Sequence, residues 1–140
     1  MLYVDTSVLV ALCTNEVRTA DVLKWYAACT DELASAAWCV TEFASALGIK
    51  QRTGQLTEPQ AQTAWTQFER TCANDLQLLP VETMTFHKAA MMAMDAAAGL
   101  RAGDALHLAC AIEAHAQGIV TLDAALAKNA KRFKLKPLAL

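Results

Sequence analysis

The sequence lacks the patterns that mark several common classes of protein. No apolar run approaches the roughly 18 residues of a membrane helix, and no basic segment precedes an apolar one at the N-terminus. We therefore expect neither a membrane span nor a signal peptide. Glycine is scarce, at 5 of 140 residues, and there is no P-loop, no G-x-G-x-x-G motif, no repeat and no linker-like stretch. These absences predict one domain over residues 1–140.

Disulfide bridges and zinc are not expected either. The chain has five cysteines, an odd number, and none of them forms a C-x-x-C pair. This pattern is typical of reduced thiols in a cytoplasm, where cysteine is buried as a small apolar residue. No spacing of histidine and cysteine suggests a zinc site. We therefore expect a cytoplasmic protein.

Charge is divided unevenly along the chain, although the net charge is only −2. Residues 1–100 contain six Lys or Arg and eleven Asp or Glu. Residues 101–140 contain six Lys or Arg but only three Asp or Glu. The basic residues after the last acid are Lys128, Lys131, Arg132, Lys134 and Lys136. Such a segment favours a polyanion or an acidic partner. It is equally typical of a helix end, where Lys and Arg complement the negative end of the dipole.

The first twelve residues, MLYVDTSVLVAL, predict a strand, a tight turn and a helix. Residues 2–4 are apolar and β-prone, and residues 8–12 fit a helix that Thr6 or Ser7 would cap. Asp5 lies at the carboxyl end of this strand, which is where open α/β sheets bind ligands. Asp, Thr and Ser are also ordinary turn formers, so the segment alone does not establish a site.

Strands and helices alternate along the whole chain, which predicts a three-layer α/β/α sandwich with a parallel sheet of four or five strands. The composition, 55% hydrophobic, fits a sheet covered on both faces or a large subunit interface. Later strands are expected at 33–36, 76–79, 119–121 and 135–138. Helices are expected at 16–29, 38–52, 83–98, 102–117 and 123–133, with another that begins at a capping box of Thr57 and Gln60. The apolar face of the helix at 16–29 is expected to carry Val17, Ala20, Leu23 and Ala27. Trp65 and Phe68 on that helix fit either an interface or the domain's own core.

Four carboxylates lie at or near strand ends, or at the start of a helix that returns there. They are Asp5, Glu42, Asp104 and Asp123. Glu42 is inside an apolar helix beside Trp38 and Ile49, where an unpaired glutamate is seldom buried. Each acid also has an ordinary explanation, because Glu42 could face solvent and the two later aspartates could serve as dipole compensation or an N-cap.

Together the four acids indicate a metal-dependent site. The carboxyl ends of parallel strands share one edge of a sheet, so these side chains are expected to meet there. Clustered carboxylates repel one another, and protons or cations must compensate them. Oxygen-rich sites favour Mg²⁺ or Mn²⁺, and acid-held ions activate water in phosphodiester cleavage.

Four segments make the chain resemble the PIN domain family, and within it the VapC-type ribonuclease toxins of type II toxin–antitoxin modules. They are YVDTSVLVAL at the start, TEFASAL around Glu42, LRAGDALHLACA around Asp104 and GIVTLDAALAKNA around Asp123. The resemblance covers nearly the whole chain and implies a single PIN-like nuclease domain over 1–140. Such enzymes cleave RNA with Mg²⁺ or Mn²⁺ and leave a 5′-phosphate and a 3′-hydroxyl. The resemblance also implies a small antitoxin partner and a homodimer.

The resemblance further implies roles for individual residues. The catalytic, metal-binding acids fall on Asp5, Glu42, Asp104 and Asp123, with Asp5 and Asp104 holding the main ion and Asp123 the most peripheral. The supporting hydroxyls fall on Thr6, Ser7 and Thr121. The expected phosphate contacts are Arg101, Lys128, Lys131 and Arg132. His107 is interpreted as a hydrogen-bonded structural histidine, since water activated by a metal ion makes a histidine base unnecessary.

Three alternatives remain. A phosphatase with Asp5 as nucleophile generally needs a second Asp two residues later, where this chain has Ser7. A PIN-like module that binds nucleic acid or protein without cutting it is disfavoured by the intact acids. A PIN nuclease that processes RNA without an antitoxin would carry the same acids.

Overall fold

Five parallel strands form one sheet in the order β3-β2-β1-β4-β5 in the computed structural model, which describes residues 1–138 and 140. The strands are β1 (Leu2–Val4), β2 (Leu33–Ala36), β3 (Leu76–Leu79), β4 (Gly118–Val120) and β5 (Lys136–Leu138). β1 is central, with Tyr3 in register with Ala34 and Ile119 of its two neighbours. β5 contains Pro137 and forms an edge, where a residue without a backbone N–H is tolerated. The predicted parallel sheet is confirmed.

Helices cover both faces of the sheet, so the predicted three-layer sandwich is confirmed as well. They are α1 (Thr6–Cys13), α2 (Thr19–Ala28), α3 (Trp38–Arg52), α4 (Glu58–Asn74), α5 (Thr83–Met94), α6 (Ala102–Glu113) and α7 (Ala124–Arg132). Helices α1 to α4 share a core with Leu2 and Val4, whereas α5 to α7 share a core with Tyr3. Alternate residues of β1 therefore enter opposite cores, as in a strand buried on both faces.

The aromatic face of α4 packs in the domain's own core. Phe68 stacks on Phe43 of α3, with ring centroids 4.2 Å apart, and Trp65 lies 6.2 Å from Phe43. Thr57 and Gln60 form the predicted capping box at the start of this helix. Interior packing, rather than an interface, accounts for these aromatic residues.

The prediction of the second helix is wrong in two respects, the residue at which the helix begins and the side of the helix that packs against the core. It begins at Thr19 rather than at 16, because the Thr19 hydroxyl accepts from the Glu16 N–H and donates to backbone oxygens of the preceding helix and loop. Residues 16–18 therefore form a turn. Val17, expected on the apolar face, is 98% exposed, and Val22 is the buried residue of the helix.

Three further boundaries are also wrong. α5 ends at Met94 instead of 98, where Asp95 has an extended backbone, and α6 ends at Glu113 instead of 117, before His115 adopts a positive φ of 51°. β4 ends at Val120, one residue earlier than expected, which leaves Thr121 in the loop. Within residues 1–138 and 140 no helix is long and apolar enough to cross a bilayer, and the five cysteines are free thiols.

The sheet order creates a crevice beside the central strand. The chain leaves β1 toward β2 on one side and later returns to β4 on the other. Ligands of open α/β sheets bind outside the carboxyl ends of the strands, where the strand order reverses. Asp5 follows β1 and Thr121 follows β4, so both lie at this point.

Candidate active site

Asp5 is a buried carboxylate fixed at the centre of the sheet edge. It is the N-cap of α1, and its Oδ1 accepts from the Ser7 N–H at 2.8 Å, the Val8 N–H at 3.3 Å and the Ser7 hydroxyl at 2.5 Å. The predicted capping role of Thr6 or Ser7 is therefore wrong, because the aspartate supplies the cap. Asp5 is 3% exposed. Burial raises its pKa above the usual value, and the hydrogen bonds from Ser7 and Thr121 offset part of that effect.

Two hydroxyls connect Asp5 to the loop after β4. Thr121 donates to Asp5 Oδ2 at 2.5 Å and accepts from the Asp123 N–H at 3.0 Å. Ser7 accepts from the Leu122 N–H at 3.0 Å. Asp123 in turn caps α7 by accepting from the Leu126 N–H. The loop that carries Asp123 is thus tied to the Asp5 carboxylate.

The Arg101 guanidinium connects Asp123 to Asp104. It lies 3.2 Å from a carboxylate oxygen of Asp104 and 3.6 Å from one of Asp123, while its side chain is 81% exposed. The hydrogen bond and charge of Asp104 raise the pKa of Arg101. One cation therefore compensates two of the predicted acids. Exposed ion pairs of this kind are weak, and the guanidinium can leave for another anion.

Glu42 joins the site through α1 and α6. Its Oε2 accepts from the Thr6 hydroxyl at 2.5 Å and lies 2.5 Å from His107 Nε2. Burial acts to raise the pKa of Glu42, but the hydrogen bonds from His107 and Thr6 outweigh it, and the pKa is lowered. Glu42 is thus an ionised, partnered carboxylate on a partly buried helix surface, rather than one that faces solvent.

Gly103, directly before Asp104, makes room for Glu42. A Cβ at this position would lie 2.3 Å from Glu42 Oε1, a distance that real Cβ atoms do not adopt. The absence of a side chain therefore lets the α3 carboxylate approach the first turn of α6. The four acids are thus linked in a closed series. Hydrogen bonds through Thr121 join Asp5 to Asp123, and Arg101 joins Asp123 to Asp104. Gly103, the neighbour of Asp104, lies against Glu42, and Thr6, the neighbour of Asp5, donates to Glu42.

A groove of about 480 Å³ opens beside Asp123. Lys128 and Lys131 of α7 line it together with Arg18, the residue before α2. Two of the four predicted phosphate contacts thus lie in the groove, and Arg101 lies at the acids. Arg132 lies apart from the groove lining and pairs with Asp95 at 3.2 Å.

The donor set suits a divalent cation. Carboxylate oxygens are the ligands that Mg²⁺ and Mn²⁺ prefer, and Arg101 shows where a positive charge satisfies two of them at once. Across the described part of the chain, no three His, Cys, Asp or Glu side chains are already arranged around one ion position. Binding would therefore require Arg101 to withdraw and the acids to adjust.

Sequence reasoning does not find three residues of this site. Tyr3 fits an ordinary strand residue, Arg18 a turn residue and Gly103 a helix-start glycine, and none carries a pattern of its own. The interpretation of His107 as hydrogen-bonded is consistent with its contacts, but the sequence does not indicate its partner Glu42. His107 follows Asp104 by three residues, so both lie near the same face of α6. This spacing is the sequence signal that places His107 near the acids.

Comparison with known proteins places this geometry in context. A sequence model of the family described as PIN domain matches residues 2–132. VapC20 of Mycobacterium tuberculosis, described as a sarcin-ricin loop cleaving toxin, has a TM-score of 0.76 and 13% identity, with 92% of this chain and 95% of that chain covered. VapBC2 of Rickettsia felis, solved with a DNA fragment from their promoter, has a TM-score of 0.64 and 14% identity, with 99% and 98% covered.

A toxin–antitoxin complex from Klebsiella pneumoniae has a TM-score of 0.58 and 14% identity, with 93% of this chain and 90% of that chain covered. At such identities the likeness is one of fold. No curated protein matches the chain.

Proposed function

Because the chain belongs to the PIN domain family, we propose that it is a metal-dependent endoribonuclease and the toxin of a type II toxin–antitoxin pair. The observation that carries the proposal is the connection of Asp5, at the end of the central strand, to three other acids at one sheet edge. The proposed products carry a 5′-phosphate and a 3′-hydroxyl. A small antitoxin, a homodimer and a cytoplasmic location belong to the same proposal, as does a single domain over residues 1–140.

We assign the acids as follows. Asp5 and Asp104 would hold the main ion, Mg²⁺ or Mn²⁺, while Glu42 and Asp123 would orient water or a second ion. When bound, the ion supplies Lewis-acid stabilisation of phosphate charge and a more acidic water. Thr6 and Thr121 keep Glu42 and Asp5 in place, and Ser7 anchors the loop before Asp123. Arg101, which is exposed, can pair with a phosphate once it leaves the acids.

Incubation of the purified protein with a pool of RNA tests the proposal. Cleavage should require Mn²⁺ or Mg²⁺ and should stop in excess EDTA. Glu42→Gln and Asp104→Asn should lose most activity, and Asp123→Asn less, since it is the outermost acid. Binding without cleavage under every metal condition would favour the non-catalytic module.

Charge reversal in the groove should weaken RNA binding. In Lys128→Glu/Lys131→Glu, the slope of log affinity against log salt should become less negative by about 0.7 for each phosphate of single-stranded RNA that the variant no longer neutralises. The control is Lys24→Glu/Arg70→Glu, which makes the same change in net charge at exposed positions on α2 and α4. Equal slopes in the two double variants would mean that the lysines do not contact RNA phosphates and only complement the negative end of the α7 dipole.

Gly103→Ala should separate stability from activity. Alanine favours a helix over glycine by up to about 1 kcal/mol, which offsets part of the cost of displacing Glu42 from its hydrogen bonds, so the variant should remain folded. The new Cβ must displace Glu42 Oε1, and misplacement of a catalytic group costs on the order of 100-fold in rate. Gly48→Ala on α3 is the control, since its Cβ would meet only the Arg52 side chain, at 3.2 Å. Equal cleavage by both variants would show that the position of Glu42 is unimportant.

A further inference from the structure

A chain of hydrogen bonds runs from the backbone of β2 through the core to the Glu42 carboxylate. The Ala36 N–H donates to Tyr3 Oη at 3.0 Å, Tyr3 Oη lies 2.8 Å from His107 Nδ1, and His107 Nε2 lies 2.5 Å from Glu42 Oε2. Tyr3 is 0% and His107 2% exposed. The proposed roles of the four acids do not use this chain.

The direction of these bonds fixes the histidine tautomer. A backbone N–H can only donate, so the Tyr3 oxygen accepts from Ala36 and its own proton is available for His107 Nδ1. Burial raises the pKa of the Tyr3 phenol well above its usual value, which keeps that proton on the oxygen. Among residues 1–138 and 140, His107 Nδ1 is the one acceptor that is hydrogen-bonded to Tyr3 Oη. The Glu42 carboxylate can only accept, so it also requires the ring proton of His107 on Nε2.

This tautomer gives Glu42 a second donor on one oxygen. The Thr6 hydroxyl and the His107 Nε2–H converge on Oε2, and His107 Nε2 also lies 3.0 Å from Thr6 Oγ1. Oε1 lies on the Gly103 side of the carboxylate. A glutamate has three rotatable bonds, and two donors on the same oxygen restrict it to one orientation with Oε1 left for a ligand.

We propose that His107 is a positioning residue for the reaction, held as the Nε2–H tautomer by its hydrogen bonds to Tyr3 and Glu42 and holding Oε2 of Glu42 so that Oε1 stays available. This inference rests on the proposed nuclease function for its catalytic consequence only. The tautomer itself follows from the hydrogen-bond chain and can be measured without any substrate.

The first test is a nitrogen NMR spectrum of protein labelled in its three histidines, His87, His107 and His115. The His107 signals are identified by their loss in His107→Gln. At neutral pH, Nε2 should carry the proton and Nδ1 should be bare. Tyr3→Phe, which removes the donor to Nδ1, should shift the Nδ1 signal, while Nε2 keeps its proton because the Glu42 carboxylate still accepts it. A wild-type His107 protonated on Nδ1, or on both nitrogens, would overturn the inference, and so would a Tyr3→Phe spectrum identical to the wild type.

The second test compares two substitutions of the same histidine. His107→Phe removes the hydrogen bonds of the ring to Tyr3, Glu42 and Thr6 and should lower kcat on the order of 100-fold with little change in KM, since only positioning is lost. His107→Gln keeps an N–H that can reach Glu42 and should recover about tenfold of that loss. His87→Gln, an exposed position on α5, is the control and should match the wild type.

Equal kcat losses in His107→Phe and His107→Gln, with both variants folded, would indicate a merely structural histidine and overturn the inference. If His107→Phe does not fold, the spectrum of the wild type and the kcat of His107→Gln still decide. Absence of cleavage by the wild type would contradict the proposed function while leaving the tautomer result valid.

Discussion

Replacing Asp5 by asparagine should lower RNA cleavage by more than about 100-fold, since even substitution of the outer-shell partners of a metal site costs 10–100-fold. Asp5 is the acid closest to the central strand, and it is linked to Thr121 and to the loop of Asp123. The measurement is the single-turnover rate at saturating Mn²⁺. Retention of a tenth or more of the rate would mean that Asp5 serves α1 as a cap and nothing else.

The same variant should remain folded. Asparagine and aspartate are equally good N-caps, and an amide oxygen can still accept from the N–H groups of Ser7 and Val8. The Thr121 hydroxyl can rotate to accept from the new amide. Asp5→Ala is the contrasting variant, which loses the cap and should be less stable by about 0.5–2 kcal/mol. Urea unfolding of both variants separates lost chemistry from lost fold.

The raised pKa of Asp5 gives stability a pH dependence with a definite sign. A carboxyl whose pKa is higher in the folded than in the unfolded protein contributes stability below its unfolded pKa. That contribution is lost as pH rises from the unfolded pKa through the raised folded pKa. Asp5→Asn removes this loss, so at neutral pH it should be at least as stable as the wild type without metal.

If the site is the proposed metal site, Mn²⁺ at a hundredfold excess over its dissociation constant should stabilise the wild type by about 2.7 kcal/mol, because an ion that binds only the folded state shifts the folding equilibrium toward it. Asp104→Asn should gain much less. Without metal this variant should melt close to the wild type, since the pair it loses with Arg101 is exposed. Melting curves with and without Mn²⁺ measure both effects.

Asp31→Asn is the matched control for the predicted effect of Asp104→Asn on stabilisation by Mn²⁺. Asp31 is exposed in the loop before β2, and its neutralisation changes the net charge as Asp104→Asn does. It should gain as much from Mn²⁺ as the wild type. An Asp104→Asn protein that gains equally would show that Asp104 only compensates the dipole of α6 and is not a ligand.

The architecture was predictable because local patterns agree with it. The strands at 2–4, 33–36 and 76–79 are short, largely apolar runs, and their positions are confirmed. The capping box of α4 also follows from two residues three apart. The prediction of the second helix failed because apolar residues lie on most sides of it and do not indicate which face packs, and a tertiary contact of Thr19 decides where it begins.

The acids were predictable as a group, and their partners were not. A parallel sheet brings the residues after its strands to one edge, so Asp5 and Asp123 follow from topology alone. The bond between His107 and Glu42 joins residues 65 positions apart on two helices, and no sequence pattern specifies that pairing. The same is true of the close approach at Gly103, which exists only once α3 and α6 are packed.

The most direct measurement is the chemistry of any RNA ends that form when the protein is incubated with RNA. RNA treated with the wild type or with Asp5→Asn, in Mn²⁺, is ligated to an adaptor that accepts only 5′-phosphate ends and then sequenced. The account predicts new ligatable ends with the wild type, paired with 3′-hydroxyl ends, and none with Asp5→Asn. New ends that carry a 5′-hydroxyl, or equal ligatable ends from both proteins, would contradict a nuclease site built around Asp5.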